Sequence, residues 1–259
     1  MILFLAVALQ AATPAARPAD PREARYDRCR QLAQSDPAAA RAEAVRWAAD
    51  GGSWFARQCA GLALTQEDKF PAAAAEFEAA AKAAEAGRDK RAANYWAQAG
   101  NAYLAAGDLP HARSALDTAL VKGTLEGLAL GEAQLDHARI LVAAGEPVAA
   151  RRDIDLALTT AGDDPLAWLL SATLARRDGD IIRAKKDIAE ALRRSADDAS
   201  VQLEAGNIAA LARDEAGARA AWAQAARLAP NTPIGRNALA ALAQFDDKPA
   251  ALPTPAAGR

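Results

Sequence analysis

The chain has 259 residues, of which 52% are apolar and only 5% aromatic, and its formal net charge is −2. The high apolar content is enough for a continuous core, whereas the low aromatic content requires close packing of small side chains. No basic block stands out, because the pairs Arg151-Arg152, Arg176-Arg177 and Lys185-Lys186 each have acidic neighbours. Nucleic acid is therefore not an expected partner.

Residues 1–16 differ in composition from the rest of the chain. Ile2 to Leu9 is apolar and small residues follow it, which is typical of a signal peptide cleaved between Ala11 and Ala16. No Lys or Arg precedes this run, so either the initiator amine supplies the positive charge or the true start lies upstream. The alternative is a frayed apolar N-terminus on a cytosolic protein. The run is too short for a stable membrane anchor, and we expect export to a bacterial periplasm.

Residues 17–24 are polar and are predicted to form a linker. Residues 25–53 are predicted to form a degenerate helical hairpin, with Cys29 and Leu32 on one face of its first helix. Asp36-Pro37 supplies the cap and the first-turn residue of its second helix. Gly51 to Ser53 ends the hairpin.

Residues 94–123 show the clearest pattern in the chain and predict two short helices joined by one turn. Gly107 can take the left-handed conformation that ends the first helix, and Asp108 can cap the second. The residues that share a face are Trp96, Gly100 and Tyr103 on the first helix and Ala112, Leu116 and Ala119 on the second. Such a hairpin cannot bury its apolar face alone, so further copies are expected.

Related units recur along residues 54–232. The small residue of the first helix is found at Gly61, Gly100, Ala138, Ala172 and Gly206, in steps of 34 to 39 residues. The spacing W-x3-G-x2-Y, then Ala, a large apolar residue and Ala, resembles the tetratricopeptide repeat.

This resemblance implies an all-α fold, a right-handed superhelical solenoid of about six helix-turn-helix repeats. The hairpin of residues 25–53 is the first, shortened repeat, and residues 54–232 hold the others. Residues 233–244 are predicted to form a helix that caps the exposed end of the array. Residues 245–259 contain Pro and Ala without periodicity and are expected to be disordered.

The chain contains two cysteines, Cys29 and Cys59. In the family that the chain resembles, first helices of neighbouring repeats pack side by side, which would bring the two within bridging reach. In an exported protein, a disulfide between them would close a loop of about 31 residues and contribute about 3 to 4 kcal/mol on the chain-entropy model. Two buried free thiols are the alternative.

Catalytic and metal-binding patterns are not evident. The two histidines, His111 and His137, belong to no H-E-x-x-H pair, and neither a G-x-S-x-G elbow nor a Gly-rich phosphate loop occurs. We expect His137 to be a partly buried, hydrogen-bonded packing residue. The acidic pairs Asp163-Asp164 and Asp197-Asp198 lie at turns and are expected to cap helices. The sequence thus predicts no enzyme, no cofactor and no metal site.

The resemblance also implies a concave groove lined by the first helices. The family positions that face it are occupied by Leu62, Asn101, Arg139, Thr173 and Asn207, with Asn94, Gln98, Gln58 and Arg176 nearby. The predicted peptide-binding residues are Asn94, Gln98, Asn101, Arg139, Thr173 and Asn207. Asn side chains could hold backbone amides of an extended peptide, and Arg139 could pair with a carboxylate. The family's clamp of Lys and Asn for a C-terminal carboxylate is not reproduced, because no Lys occupies these positions. Alternatively, these residues are solvated polar side chains on a rim.

The resulting expectation is a protein interaction scaffold that binds peptide segments of cell-envelope partners in its groove. The alternative is a structural subunit that joins an envelope assembly, or itself, through convex or terminal faces. Apolar residues exposed on the outer faces of second helices would favour that alternative.

Overall fold

The computed structural model describes residues 21–246, which form 13 α-helices and no strand. The predicted signal peptide (1–16) and residues 247–259 of the predicted tail lie outside the described residues. The helices are α1 (Pro21–Ser35), α2 (Pro37–Ala49), α3 (Ser53–Gln66), α4 (Phe70–Ala86), α5 (Ala92–Ala105), α6 (Leu109–Val121), α7 (Gly127–Ala143), α8 (Pro147–Thr160), α9 (Pro165–Arg177), α10 (Ile181–Arg194), α11 (Ala199–Leu211), α12 (Glu215–Leu228) and α13 (Pro233–Asp246).

Consecutive helices pair into six hairpins, from α1/α2 to α11/α12, and each hairpin packs on the next. The predicted helical solenoid is therefore confirmed. Two boundaries differ from the prediction. Helix α1 begins at Pro21, within the predicted linker, because Pro is well tolerated in a first turn even where no apolar pattern marks the helix. Helix α13 continues to Asp246, since no Gly or Pro interrupts residues 236–246.

The two helices of a hairpin meet where a small residue faces a large one. A Cβ atom added to Gly100 on α5 would lie 2.5 Å from Leu116 Cγ on α6, so only hydrogen fits there. The same pairing, always sixteen residues apart, recurs in Gly61/Phe77, Ala138/Ile154, Ala172/Ile188 and Gly206/Trp222. The recurring small residue therefore sets how closely the helices approach.

Each of these five hairpins turns at a residue with positive φ, seven positions after the small residue. In the α5/α6 hairpin this residue is Gly107, with φ +78°, which suits glycine because it has no Cβ. The equivalent residues are Asp68, Gly145, Gly179 and Arg213. Two hairpins thus keep the turn conformation without glycine.

Aspartates that follow the turns cap the next helices, as predicted. Asp164 accepts a hydrogen bond from the Leu166 amide (2.9 Å), and Asp198 accepts one from the Ser200 amide (2.6 Å). Asp108 caps α6 in the same way. These carboxylates satisfy backbone donors that a helix leaves unpaired at its N-terminus.

Cys29 on α1 and Cys59 on α3 form a disulfide, with their Cα atoms 5.9 Å apart. Both residues are almost fully buried, in a cluster with Trp47 and Phe55. The bridge therefore fastens the first hairpin to the second.

Helix α13 covers the last hairpin. The hydroxyl of Thr232 accepts a hydrogen bond from the Gly235 amide (3.3 Å), so Thr232 caps the helix. Ala238 is fully buried against a cluster that contains Trp222. The apolar end of the array is thus shielded from water.

His137 joins three helices at the junction of the third and fourth hairpins. Its Nδ1 lies 2.6 Å from Asp153 Oδ2 on α8, and its Nε2 lies 3.1 Å from Asp117 Oδ1 on α6, although not aligned as a hydrogen bond. The imidazole is only 12% exposed. The hydrogen bond to Asp153, with the charge of Asp117, raises the pKa of His137 against the opposing effects of burial and Arg113.

Replacing Gly100 by Val is expected to destabilise the fold by about 1 to 3 kcal/mol, because the added atoms overlap Leu116. Urea unfolding measures the change. The matched control is Ala105→Val, at an exposed position of the same helix. This substitution should lower the free energy of unfolding by less than about 0.7 kcal/mol. Equal stability of the two variants would contradict the packing argument.

Reducing the disulfide is expected to lower the free energy of unfolding by about 3 to 4 kcal/mol, since the unbridged unfolded chain regains the entropy of an open loop. Urea unfolding with and without a thiol reductant measures this loss. The Cys29→Ala, Cys59→Ala variant is the control and should not respond to reductant. If reductant left the unfolding of the wild-type protein unchanged as well, the disulfide would not contribute to stability.

His137 is expected to make stability depend on pH. Its folded pKa is raised, so the charged imidazole stabilises the fold fully below about pH 6.5, and this contribution is lost as pH rises through the folded pKa. Urea unfolding at about pH 6 and about pH 9 should show a larger loss for the wild type than for His137→Gln. An identical loss in both proteins would rule out the imidazole as the cause.

Candidate binding groove

A concave groove of about 840 Å³ runs along the first helices of the first four hairpins. Helices α1, α3, α5 and α7 form its floor and walls, and the start of α9 closes one end. Neighbouring first helices lie side by side because each hairpin packs on the next in the same orientation.

Three of these helices each present a stripe of side chains to the groove. Residues three, four and seven positions apart share one helix face, so each stripe follows one helix axis. The stripes are Gln58, Leu62 and Thr65 on α3, Asn94, Gln98 and Asn101 on α5, and Glu132, Asp136 and Arg139 on α7. The structure therefore brings together four of the six predicted groove residues, Asn94, Gln98, Asn101 and Arg139.

Hydrogen bonds connect the stripes to one another. Gln58 Nε2 donates to Gln98 Oε1 (3.1 Å), and Asn101 Nδ2 donates to Asp136 Oδ2 (2.7 Å). The side-chain amide of Asn94 makes no hydrogen bond within residues 21–246. Donors and acceptors thus remain available along α5, at the centre of the groove.

Two predicted residues lie elsewhere. Thr173 on α9 is half-buried and does not line this groove. Asn207 on α11 donates to Glu204 Oε2 (3.2 Å) and accepts from Trp222 Nε1 (3.1 Å), so contacts inside the fold use both sides of its amide. The neighbouring Arg176 forms an ion pair with Glu204. The candidate site is therefore confined to the first four hairpins and the start of α9.

Aromatic residues beneath the groove were not predicted as part of the site. Tyr26 on α1 lies against Phe55 on α3, with ring centroids 5.9 Å apart, and burial raises the pKa of Tyr26. Tyr95 on α5 is also buried in this floor. Arg91 stacks over the Phe55 ring, 4.5 Å from its centroid. Tyr26 lies within the hairpin predicted for residues 25–53, but its contact with Phe55 depends on how α1 packs against α3, which no sequence pattern indicates.

Acidic groups outnumber basic groups in the groove. Among residues 21–246, its lining includes five carboxylates, Glu23, Asp27, Glu132, Asp136 and Asp164, but only two guanidinium groups, those of Arg91 and Arg139.

Both guanidinium groups already have carboxylate partners. Arg91 bonds Asp89 through two nitrogens (2.6 and 2.8 Å), and Arg139 Nη1 donates to Asp136 Oδ1 (3.2 Å). A carboxylate ligand at Arg139, as the sequence suggested, would meet a guanidinium whose charge is already offset by Asp136. The arrangement favours ligands that are neutral or positively charged.

Within residues 21–246, no cluster of three or more His, Cys, Asp or Glu side chains is placed to hold a metal ion. Over the same residues, none of the helices combines the length and the hydropathy that crossing a membrane requires.

Comparison with known proteins identifies similar folds. No protein-family model and no curated protein sequence matches the chain. PilF from Pseudomonas aeruginosa shares 16% sequence identity with this chain, and its structure matches with a TM-score of 0.69. The match covers 85% of this chain and 99% of PilF. PilW, a widely conserved type IV pilus biogenesis factor, is 15% identical with the same TM-score, over 84% of this chain and 98% of PilW.

YrrB, described as a TPR protein with an unusual peptide-binding site, is 19% identical with a TM-score of 0.53. This match covers 71% of the present chain and 91% of YrrB. The recurring hairpins, the contacts between small and large residues and the similarity to these structures all indicate the same fold. The chain has the fold of a tetratricopeptide repeat protein.

Proposed function

We propose that this protein is a non-catalytic scaffold whose groove binds an extended peptide segment of a partner protein. The observation that carries the proposal is the stripe of Asn94, Gln98 and Asn101 along α5, in the centre of a concave surface. Amide side chains can both donate and accept, so they can hold a peptide backbone without selecting its sequence.

The spacing of this stripe suits an extended chain. Four residues of an α-helix advance about 6 Å along its axis, and two residues of an extended strand advance about 6.6 Å. Asn94 and Gln98 can therefore meet alternate residues of a peptide that runs along α5. The intervening peptide side chains would then face the stripes of α3 and α7. Since the helices hold these groups in place, the peptide bears most of the ordering cost, and binding stays reversible.

We further propose that the protein acts in the bacterial cell envelope, in the periplasm. The buried Cys29–Cys59 disulfide favours an oxidising compartment. The composition of residues 1–16 is that of a signal peptide. Similarity to PilF and PilW, one of them a pilus biogenesis factor by description, is consistent with this location.

A second candidate function is that of a structural subunit, because apolar residues are exposed on second helices. Val148 on α8 and Ile182 on α10 each occupy the second position of their helix and are 85% and 87% exposed. They lie 34 residues apart, in adjacent hairpins. Such a surface could join the protein to an assembly or to a second copy of itself.

Replacing Asn94 and Gln98 by Ala is expected to weaken partner binding by about five- to 150-fold, because each of the two lost hydrogen bonds costs about 0.5 to 1.5 kcal/mol. Crosslinked affinity purification from the native envelope fraction measures capture. The control variant, Gln66→Ala with Asn237→Ala, removes two exposed amides that do not line the groove. Urea unfolding of both variants ensures matched stability.

Loss of a partner from the groove variant alone would support the peptide scaffold and would identify the process. Capture of the same partners by all three proteins would exclude the groove. In that case Val148→Ser with Ile182→Ser should release the partners if the surface that contains Val148 and Ile182 is the binding site.

A further inference from the structure

The charge of the groove limits what can bind there. Five carboxylates face two guanidinium groups, and both guanidinium groups are paired with aspartates. A peptide without charge would leave Glu132, which has no basic partner within residues 21–246, uncompensated and partly desolvated. An acidic peptide would add repulsion.

The uncompensated charge concentrates at the end of the groove formed by α7 and the start of α9. Glu132 makes no hydrogen bond or ion pair within residues 21–246. Desolvation raises the pKa of Glu132, and the nearby charges of Asp136 and Asp164 raise it further. These three carboxylates therefore repel one another while no basic side chain of the described chain neutralises Glu132.

An apolar surface lies beside these carboxylates. Leu166, at the start of α9, lines the same end of the groove and is 41% exposed. Ala129, one turn before Glu132 on α7, lines it as well. A long basic side chain could lay its aliphatic stem on Leu166 and place its charge among the carboxylates.

We infer that the peptide bound by this groove carries a Lys or Arg side chain that pairs with Glu132 beside Leu166. The inference rests on the proposed peptide-binding function and adds the chemical class of the ligand. The amide stripe on α5 holds the peptide backbone, and the carboxylates at the α7/α9 end select a basic residue. Selection then comes from charge, which the amides alone do not supply.

The test starts with phage-displayed random twelve-residue peptides selected on the immobilised full-length protein. The most enriched peptide is synthesised with a fluorescent label, together with versions in which its basic residue is replaced by Gln or Glu. Fluorescence anisotropy gives their affinities for wild type, Glu132→Gln, Glu132→Lys and a control, Asp197→Asn. Asp197 is exposed in the turn before α11, outside the groove.

We expect the enriched peptides to contain Lys or Arg next to an apolar residue. Replacing that basic residue by Gln should weaken binding to wild type by about two- to fivefold, and Glu132→Gln should abolish the difference between the two peptides. Glu132→Lys should weaken binding of the basic peptide by about tenfold. Asp197→Asn should leave all affinities unchanged.

The outcomes separate this inference from the proposed function. If neutral or acidic peptides bind as well as basic ones, and Asn94→Ala with Gln98→Ala weakens them, the groove binds peptides but the inference is wrong. If no peptide is enriched above the uncoated surface, both are wrong. If light scattering shows a dimer that Glu132→Lys dissociates, a second copy occupies the groove, and the inference is likewise overturned.

Discussion

The contact between a small and a large residue, sixteen positions apart, is the constraint on which this structure depends. At Gly100 and Leu116 this contact leaves no room for even a methyl group. In each of the five hairpins the turn residue, Gly107 in this one, follows the small residue by seven positions. Because the contact recurs in five hairpins, each hairpin closes with nearly the same geometry. Similar hairpins stack in one orientation, which aligns the first helices and so creates the stripes that line the groove.

The features that depend on local sequence could be predicted. Hairpin positions, turns and caps follow from small residues, glycines and aspartates at a fixed spacing, so Asp164 and Asp198 were recognised as caps. The start of α1 was missed, because Pro21 to Ala24 carries no apolar period. The resemblance to the tetratricopeptide repeat implied a groove lined by Asn94, Gln98 and Asn101, and these residues do line the concave surface. It could not indicate the contacts of Asn207, because its partners Glu204 and Trp222 depend on packing between helices.

The charges in the groove also depend on contacts that local sequence does not indicate. From the sequence, Arg139 appears as a cation one position after a small residue, available to a carboxylate. In the structure Asp136, one turn earlier on the same helix, holds it. The positions of Glu132 and Asp136 on the stripe of Arg139 could have been read from their spacing. The approach of Asp164 from the next hairpin could not, since it depends on how α7 and α9 pack.

The disulfide gives this solenoid two unequal ends. Interior hairpins are held on both sides, whereas a terminal hairpin has one neighbour and is the first to open in a repeat array. The N-terminal hairpin is fastened covalently through Cys29 and Cys59, while the C-terminal one is covered only by the packing of α13. Fraying should therefore begin at α13 and advance hairpin by hairpin, and the groove, built on the first four hairpins, is the last region to lose its shape.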